Sequence, residues 1–516
     1  SSSPRDFRST RACVRTRKPR GATLFGQVLA NERRARVRAA MPTEQSPLVG
    51  KGGPGLARQT WALMGVIAPA LLGNMLEFYD FAAYLFVTPY ITANFFASRG
   101  DFWLSFGVWF GFAISFAVRP FGGVIFGYIG DRYGRRLSLM LSVAGMIVCT
   151  AGIGFLPNTA CCGNALGLFG LVMLLLFKTC QGLCVGGELI VTAVFAVEAG
   201  GTALVATATG ITYATATSGM LIAELVVFTV ESATTEEQML AWGWRVPFLL
   251  ALPWGLVAVM LRSRLKESPA FTAHLEEKEK RDAKPEADSA EAEVISPLAL
   301  VWREHRLAVC LGVPPCCAFA AVLWGSIMYP RDFLVDAGIR DEPATLGATM
   351  VALLCIIASQ FLCGTLYDRV GIWRACLVWS CAVVLAVWPL WCLLVLPGQA
   401  WGSFVAMLLL GTLTGCGVCV ACLGLELFPV PIRATGFGIV WNVAQALGAA
   451  PAPFVAKAVW GGLRDTEPEG TWWVNTSPAL WPVLAGVCSC VALLLLRHAA
   501  LRGRLQPTHI RHHPYM

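Results

Sequence analysis

Two carboxylates open the chemistry of this chain. In Gly73-Asn74-Met75-Leu76-Glu77-Phe78-Tyr79-Asp80-Phe81, Glu77 and Asp80 lie three residues apart inside an apolar run and share one face of a helix. Two such groups can hold one proton between them, or they can be salt-bridged purely for structure. Each ionisable group at the centre of a membrane helix costs roughly 2.5–3.5 kcal/mol, so something must offset it. Basic counterparts exist in the same half: Arg119, followed by Pro120-Phe121-Gly122-Gly123, and Lys178, with Glu188 ten residues beyond it. A site with Arg119 or Lys178 facing Glu77, Asp80 and Glu188 would bind a carboxylate and couple it to a proton, although Lys178 can instead snorkel. Glu224 and Lys457 are further charges in apolar runs with no partner identifiable from sequence. The second half offers Gln360, Trp441, Asn442 and Gln445, with Trp324 and Tyr329, which suit either substrate orientation or hydrogen bonds between helices. The six histidines fall in loops or at the ends, so proton work must use carboxylates, and a reaction needing a buried histidine base is disfavoured. No Gly-x-x-x-x-Gly-Lys-Ser/Thr occurs, which excludes an ATP-driven pump in one chain.

The elements that position these residues follow from composition. With 56% hydrophobic and 14% charged side chains, the 516-residue chain is too apolar for a soluble protein, in which about a quarter of residues are charged. Windows such as 138–156, 205–223 and 375–396 contain no Asp, Glu, Lys or Arg, and each can cross roughly 30 Å of hydrocarbon. Apolar runs delimit twelve spans, near 62–92, 104–127, 137–156, 165–190, 204–230, 245–262, 307–330, 345–366, 375–396, 402–425, 434–460 and 479–497. The reading is an all-α membrane protein with two six-helix halves, 61–262 and 305–498. Residues 263–304 form a charged linker, with room for a short surface helix, and 499–516 a basic tail. Residues 1–60 read as a basic disordered region. Its first 40 residues carry eleven Arg or Lys against Asp6 and Glu32, which suits a transit peptide or an artefact before Met41. The nineteen cysteines, including Cys161-Cys162, show no disulfide spacing and read as packing residues. Basic residues of the short loops, including Arg132, Arg135, Arg136, Arg262, Arg369, Arg433 and Arg497, fall on one side. The positive-inside rule makes that side the cytoplasm and puts both termini there.

One short loop carries more charge than anchoring needs: Gly127-x-x-x-Asp131-Arg132-x-Gly134-Arg135-Arg136. It recurs 237 residues later as Gly364-x-x-x-Asp368-Arg369-x-Gly371-x-x-Arg374, again after the second span of its half. Asp131 sits at a helix end, where it can accept hydrogen bonds from a neighbouring helix N-terminus, while the arginines pair with acids across the halves. Contacts of that kind would close a gate in one state and break in another.

Both copies resemble the paired loop motif of the major facilitator superfamily, over roughly residues 60–500. Further segments are similar to its metabolite:proton symporter family: Gly73 to Phe81, Arg119-Pro120-x-Gly122-Gly123, Gln181-Gly182-x-x-x-Gly186-Gly187-Glu188, Gly243-Trp244-Arg245-Val246-Pro247-Phe248, Glu267-Ser268-Pro269-x-Phe271, and Glu426 to Gly436. Phe78 stands where that family usually has tryptophan, and Lys178 where it usually has arginine. The resemblance implies proton-coupled uptake of small polar metabolites, carboxylates and zwitterions among them; together with the charges above, the reading is alternating access with Glu77 and Asp80 as proton carriers and Arg119 and Lys178 as anion contacts. Expected partners are a small-molecule substrate, protons and the lipid of a plasma or organelle membrane. No cofactor, metal, enzyme activity or nucleic acid is expected, and the functional unit is a monomer. A pH-independent sugar facilitator and a nontransporting receptor are the alternatives.

Overall fold

The computed structural model describes residues 56–96, 100–133, 135–200, 204–263, 297–429, 432–466 and 473–502. Twelve spans cross the described chain: α1 (Leu56–Phe86, continued by Thr88–Phe96 after a 63° bend), α2 (Asp101–Tyr133), α3 (Arg135–Gly154), α4 (Thr159–Gly200), α5 (Val205–Ala233) and α6 (Val246–Ser263) precede the charged stretch. After it come α7 (Arg306–Asp336), α8 (Glu342–Val370), α9 (Ile372–Leu394), α10 (Ala400–Glu426), α11 (Arg433–Arg464) and α12 (Leu480–Leu501). All are long and apolar enough to span a bilayer, α1 only if its two bent parts are taken together. Phe155, Leu385 and Val148 stand about 70% exposed on the outside of the bundle, as suits side chains that face lipid.

The spans that line the interior are interrupted, and the sequence says why. Pro89 follows the bend of α1, which then runs as a π-helix over Thr92–Phe96. In α7, Pro314 and Pro315 remove two amide donors and Trp324–Met328 form a π-turn ahead of Pro330. Such breaks free backbone groups and re-aim side chains at the centre of the bundle.

Across the halves, α5 packs on α8, and α2 and α4 on α11. The α5–α8 crossing is tight because Gly210 faces Gly364: a Cβ on Gly210 would lie 2.6 Å from the Gln360 carbonyl oxygen. Gly371, with φ +96°, turns α8 into α9 in a conformation other residues rarely adopt.

Two boundaries and the reading of one cysteine pair differ from expectation. Helix α1 begins at Leu56, inside the stretch read as disordered, because its first turn precedes the apolar core of the span. Residues 297–304 form a short helix that buries Val301, so the second half starts before 305. Cys161 and Cys162, read as packing residues, instead form a vicinal disulfide at the start of α4. The N-terminal basic region to residue 55, the linker 264–296 and the tail 503–516 lie outside the described residues.

Candidate functional site

A narrow cavity lies midway along the bundle between the halves. From the first half it is lined by Phe78 on α1, Arg119 on α2, and Tyr213, Thr217 and Met220 on α5. From the second half come Phe319 and Trp324 on α7, Gln360 on α8, and Trp441 and Gln445 on α11. Helix α1 is registered against α5 by Asn74, whose Nδ2 donates to the Thr212 carbonyl at 2.9 Å, beside Tyr213. Thr217 donates to Gln360 Oε1 across the halves at 3.0 Å. Tyr213 and Trp441 meet edge to face at 5.2 Å, and Phe319 lies 5.8 Å from Trp441. The Tyr213 hydroxyl, Trp324 Nε1 and Gln445 Oε1 are buried without a hydrogen-bond partner, so three polar atoms near the cavity are unsatisfied.

Arg119 is 3% exposed, its guanidinium 3.9 Å from the centroid of Phe116 and 4.5 Å from that of Phe81. Its Nε has no hydrogen-bond partner, and the carboxylate within its electrostatic reach, Glu77, forms no ion pair with it. A cation held by two aromatic rings and facing a cavity is prepared for an anionic group brought by a ligand. Glu77, the residue before the wall residue Phe78 on α1, is 1% exposed and has no hydrogen-bond partner on either oxygen. The charges within its electrostatic reach are Glu188, Arg119, Arg262 and Asp80.

The structure rearranges the expected charge cluster. Glu77 and Asp80 share no hydrogen bond; Asp80 lies beside Lys178, whereas the cations within reach of Glu77 are Arg119 and Arg262. Lys178 Nζ sits 3.8 Å from Asp80 Oδ2 and donates to Gln181 Oε1 at 2.8 Å, over the Tyr84 ring; it is fully buried and does not snorkel. Glu188 is withdrawn from Arg119 and Lys178 by Arg262, read from sequence as a loop residue but fully buried, whose Nη2 reaches Glu188 Oε1 at 2.6 Å. Arg262 also donates to the Leu139 and Ala70 carbonyls, and Ser142 donates to Glu188 Oε2 at 3.1 Å. That knot joins α6 to α1, α3 and α4 and leaves Glu188 no vacancy for substrate. Asn442 likewise donates to the Gly186 carbonyl at 2.6 Å, stitching α11 to α4 rather than lining the cavity. Lys457 finds Asp336 at 3.1 Å. Glu224 is fully buried on α5 and apart from the cavity lining.

Contacts across the halves lie on both sides of the cavity. On the side of the two motif loops, Asp368 caps α5: Oδ1 accepts from the Ala206 amide at 2.8 Å, and Oδ2 accepts from the Thr207 amide at 2.9 Å and its hydroxyl at 2.6 Å. A carboxylate at a helix N-terminus gains from both the free amides and the dipole. Asp368→Ala should therefore speed hydrogen exchange of the α5 amides at 206 and 207 by roughly tenfold, read by exchange mass spectrometry. Arg369 is exposed in the last turn of α8, and Arg433 opens α11, its Nε donating to the Phe428 carbonyl at 3.3 Å. For the first motif copy, Gly127 and Asp131 fall on the last turns of α2, while Gly134 and the side chains of Asp131, Arg132, Arg135 and Arg136 lie outside the described residues. On the opposite side, Trp109 meets Tyr329 at 5.7 Å, Phe106 stacks on Phe454 at 5.6 Å, and Arg331 pairs with Glu231 at 3.8 Å.

Sequence reasoning found Arg119, Trp324, Gln360, Trp441 and Gln445 on the cavity wall and missed Phe78 as a wall residue, Tyr213, Thr217, Phe319 and the Arg331–Glu231 pair. Tyr213 and Thr217, four residues apart on α5, carried a signal: the tyrosine is the lone aromatic of a run of small residues.

Two six-helix halves, pinned together on both sides of a cavity that holds a ready cation, define a secondary carrier of the major facilitator fold. The chain belongs to the sugar (and other) transporter family of that superfamily, whose model matches residues 66–463. It is a multi-pass transporter of the membrane and not an enzyme. It is 29% identical to the ectoine/proline transporter ProP of Corynebacterium glutamicum over 448 residues, covering 85% of each chain. It is 27% identical to the proline/betaine transporter of Escherichia coli, over 74% of this chain and 75% of that one. The α-ketoglutarate permease of the same organism is 29% identical, over 78% of this chain and 88% of that one. Among solved structures, the proton:xylose symporter XylE bound to 6-bromo-6-deoxy-D-glucose shares the fold, with TM-score 0.66 at 16% identity over 84% of this chain and 95% of that one.

Proposed function

We propose that the protein is a proton-coupled symporter of a small zwitterion, which enters the cavity with its carboxylate on Arg119 and its ammonium against Tyr213, Trp441 and Phe319. The observation that carries this reading is the cavity wall itself: one unpaired guanidinium facing a box of aromatic rings. A quaternary or secondary ammonium is attracted to the negative faces of such rings. A dicarboxylate, as in the relative named for α-ketoglutarate, would need a second free cation, and among the described residues Lys178 is already taken by Asp80. The relatives named for proline and betaine support the zwitterion.

Glu77 is the proton carrier in this reading. With Glu77 ionised, its charge competes for Arg119; with Glu77 protonated, the guanidinium is left to the substrate. Asp80 and Lys178 form the supporting pair. The motif loops face the cytoplasm, with both termini, by the excess of basic residues there. One chain holds the whole substrate path and is the functional unit.

The test is uptake into liposomes of labelled betaine, proline, α-ketoglutarate and xylose. Betaine or proline is expected to be taken up, and Trp441→Leu to raise its KM by roughly tenfold while leaving expression and Vmax near wild type. Uptake of α-ketoglutarate or xylose with no zwitterion uptake would overturn the assignment.

A further inference from the structure

Glu224 is the buried carboxylate that the substrate site leaves unused. It lies on α5 seven residues before Glu231, two helical turns along the same face, and is fully buried with no hydrogen-bond partner on either oxygen. The charged groups within its reach are Arg331 on α7 and Glu231. Arg331 is 4% exposed, lies 5.3 Å from the centroid of Phe86 on α1, and pairs with Glu231 at 3.8 Å. A guanidinium of the second half is thus paired with Glu231 of the first and lies within the electrostatic reach of Glu224, on the face away from the motif loops.

We propose that Glu224 is a second proton-binding site, distinct from Glu77, and that its ionised form draws Arg331 onto α5 and closes the outer mouth of the carrier. The logic is electrostatic. An ionised Glu224 adds its attraction to that of Glu231 on one cation of α7, and the burial of Glu224 and Arg331 limits how far water screens it. A proton arriving from outside at Glu224 removes one anion and leaves Glu231, the more exposed of the two, to hold Arg331. The halves then part more easily where Trp109 meets Tyr329 and Phe106 meets Phe454. The proton comes from the outer solution and returns to it, so no other reactant is required. Closure of the outer mouth becomes pH-dependent independently of what occupies the cavity.

The experiment measures closure directly. In an F106C/F454C background, oxidative cross-linking of the two introduced thiols, mapped by peptide mass spectrometry, reports how often the outer contact forms. Rates are compared between Glu224 and E224Q at equal pH, so that thiol ionisation cancels. At about pH 9 E224Q should cross-link about threefold more slowly, and at about pH 5.5 the two should converge. Equal rates at both pH values, or faster cross-linking in E224Q, would overturn the proposal. E231Q is the reference for a weakened latch and should be slower at both. Should E224Q fail to assemble, E224D must keep the pH dependence with a displaced midpoint, and an unchanged midpoint counts against Glu224. Uphill accumulation by E224Q in the same liposomes should persist, which separates this result from the role given to Glu77.

Discussion

Arg119→Ala is expected to lower apparent substrate affinity by roughly two orders of magnitude, while the protein still inserts and folds. The guanidinium is buried between Phe116 and Phe81 and has no carboxylate partner of its own among the described residues. Its removal therefore leaves no protein anion stranded within ion-pair distance. It does leave the substrate carboxylate in an apolar cavity without a partner. Truncating one side of a buried, hydrogen-bonded charge pair costs about 2–5 kcal/mol, mostly in the dissociation rate. Arg119→Lys should recover part of the loss, since the charge returns without the planar fork that binds a carboxylate through two parallel bonds. Binding is measured by displacement of a labelled zwitterion from detergent-solubilised protein, which removes any effect on the transport cycle. Unchanged affinity in Arg119→Ala would move the carboxylate subsite elsewhere.

Glu77→Gln should abolish uphill accumulation and spare exchange. A buried carboxylate with no donor must carry its proton or draw on nearby cations, and the groups in reach of Glu77 are Arg119 on the cavity side and the Arg262–Glu188 pair on the other. Glutamine is nearly isosteric with the protonated acid. It should hold the carrier in its substrate-accepting form, so labelled and unlabelled substrate still swap across the membrane at close to the wild-type rate. Net movement against a gradient requires the proton to leave, and the amide has none to give. Exchange retained with accumulation lost is the diagnostic pair; loss of both would mean a structural role, and retention of both would place the proton elsewhere.

How much of this was legible in the sequence depends on range. The twelve spans were readable because a helix in lipid must be apolar along its whole length, and that signal is local. The helix-capping role was expected of Asp131, whose side chain lies outside the described residues; Asp368, its counterpart in the second copy, plays that role on α5. The identity of charge partners was not legible. Glu188 pairs with Arg262, 74 residues on, and Arg262 itself looked like loop charge because it follows the last apolar residue of α6. Only the crossing of α6 against α3 and α1 draws it inside. Glu77 and Asp80 share a face on paper, yet their neighbours α2, α4 and α6 bring a different cation to each. Tyr213 escaped because its role arises from a neighbour, Trp441, that lies in the other half.

The central claim, proton-coupled symport, is tested most directly in sealed liposomes with an alkaline interior and labelled betaine or proline outside. One unit of pH difference is worth about 1.4 kcal/mol, so one proton per substrate predicts roughly tenfold accumulation. That accumulation should collapse when a protonophore is added and be missing in Glu77→Gln. Uptake by the wild-type protein that only equilibrates, at a rate indifferent to the pH gradient, would contradict the account and leave a facilitator in its place.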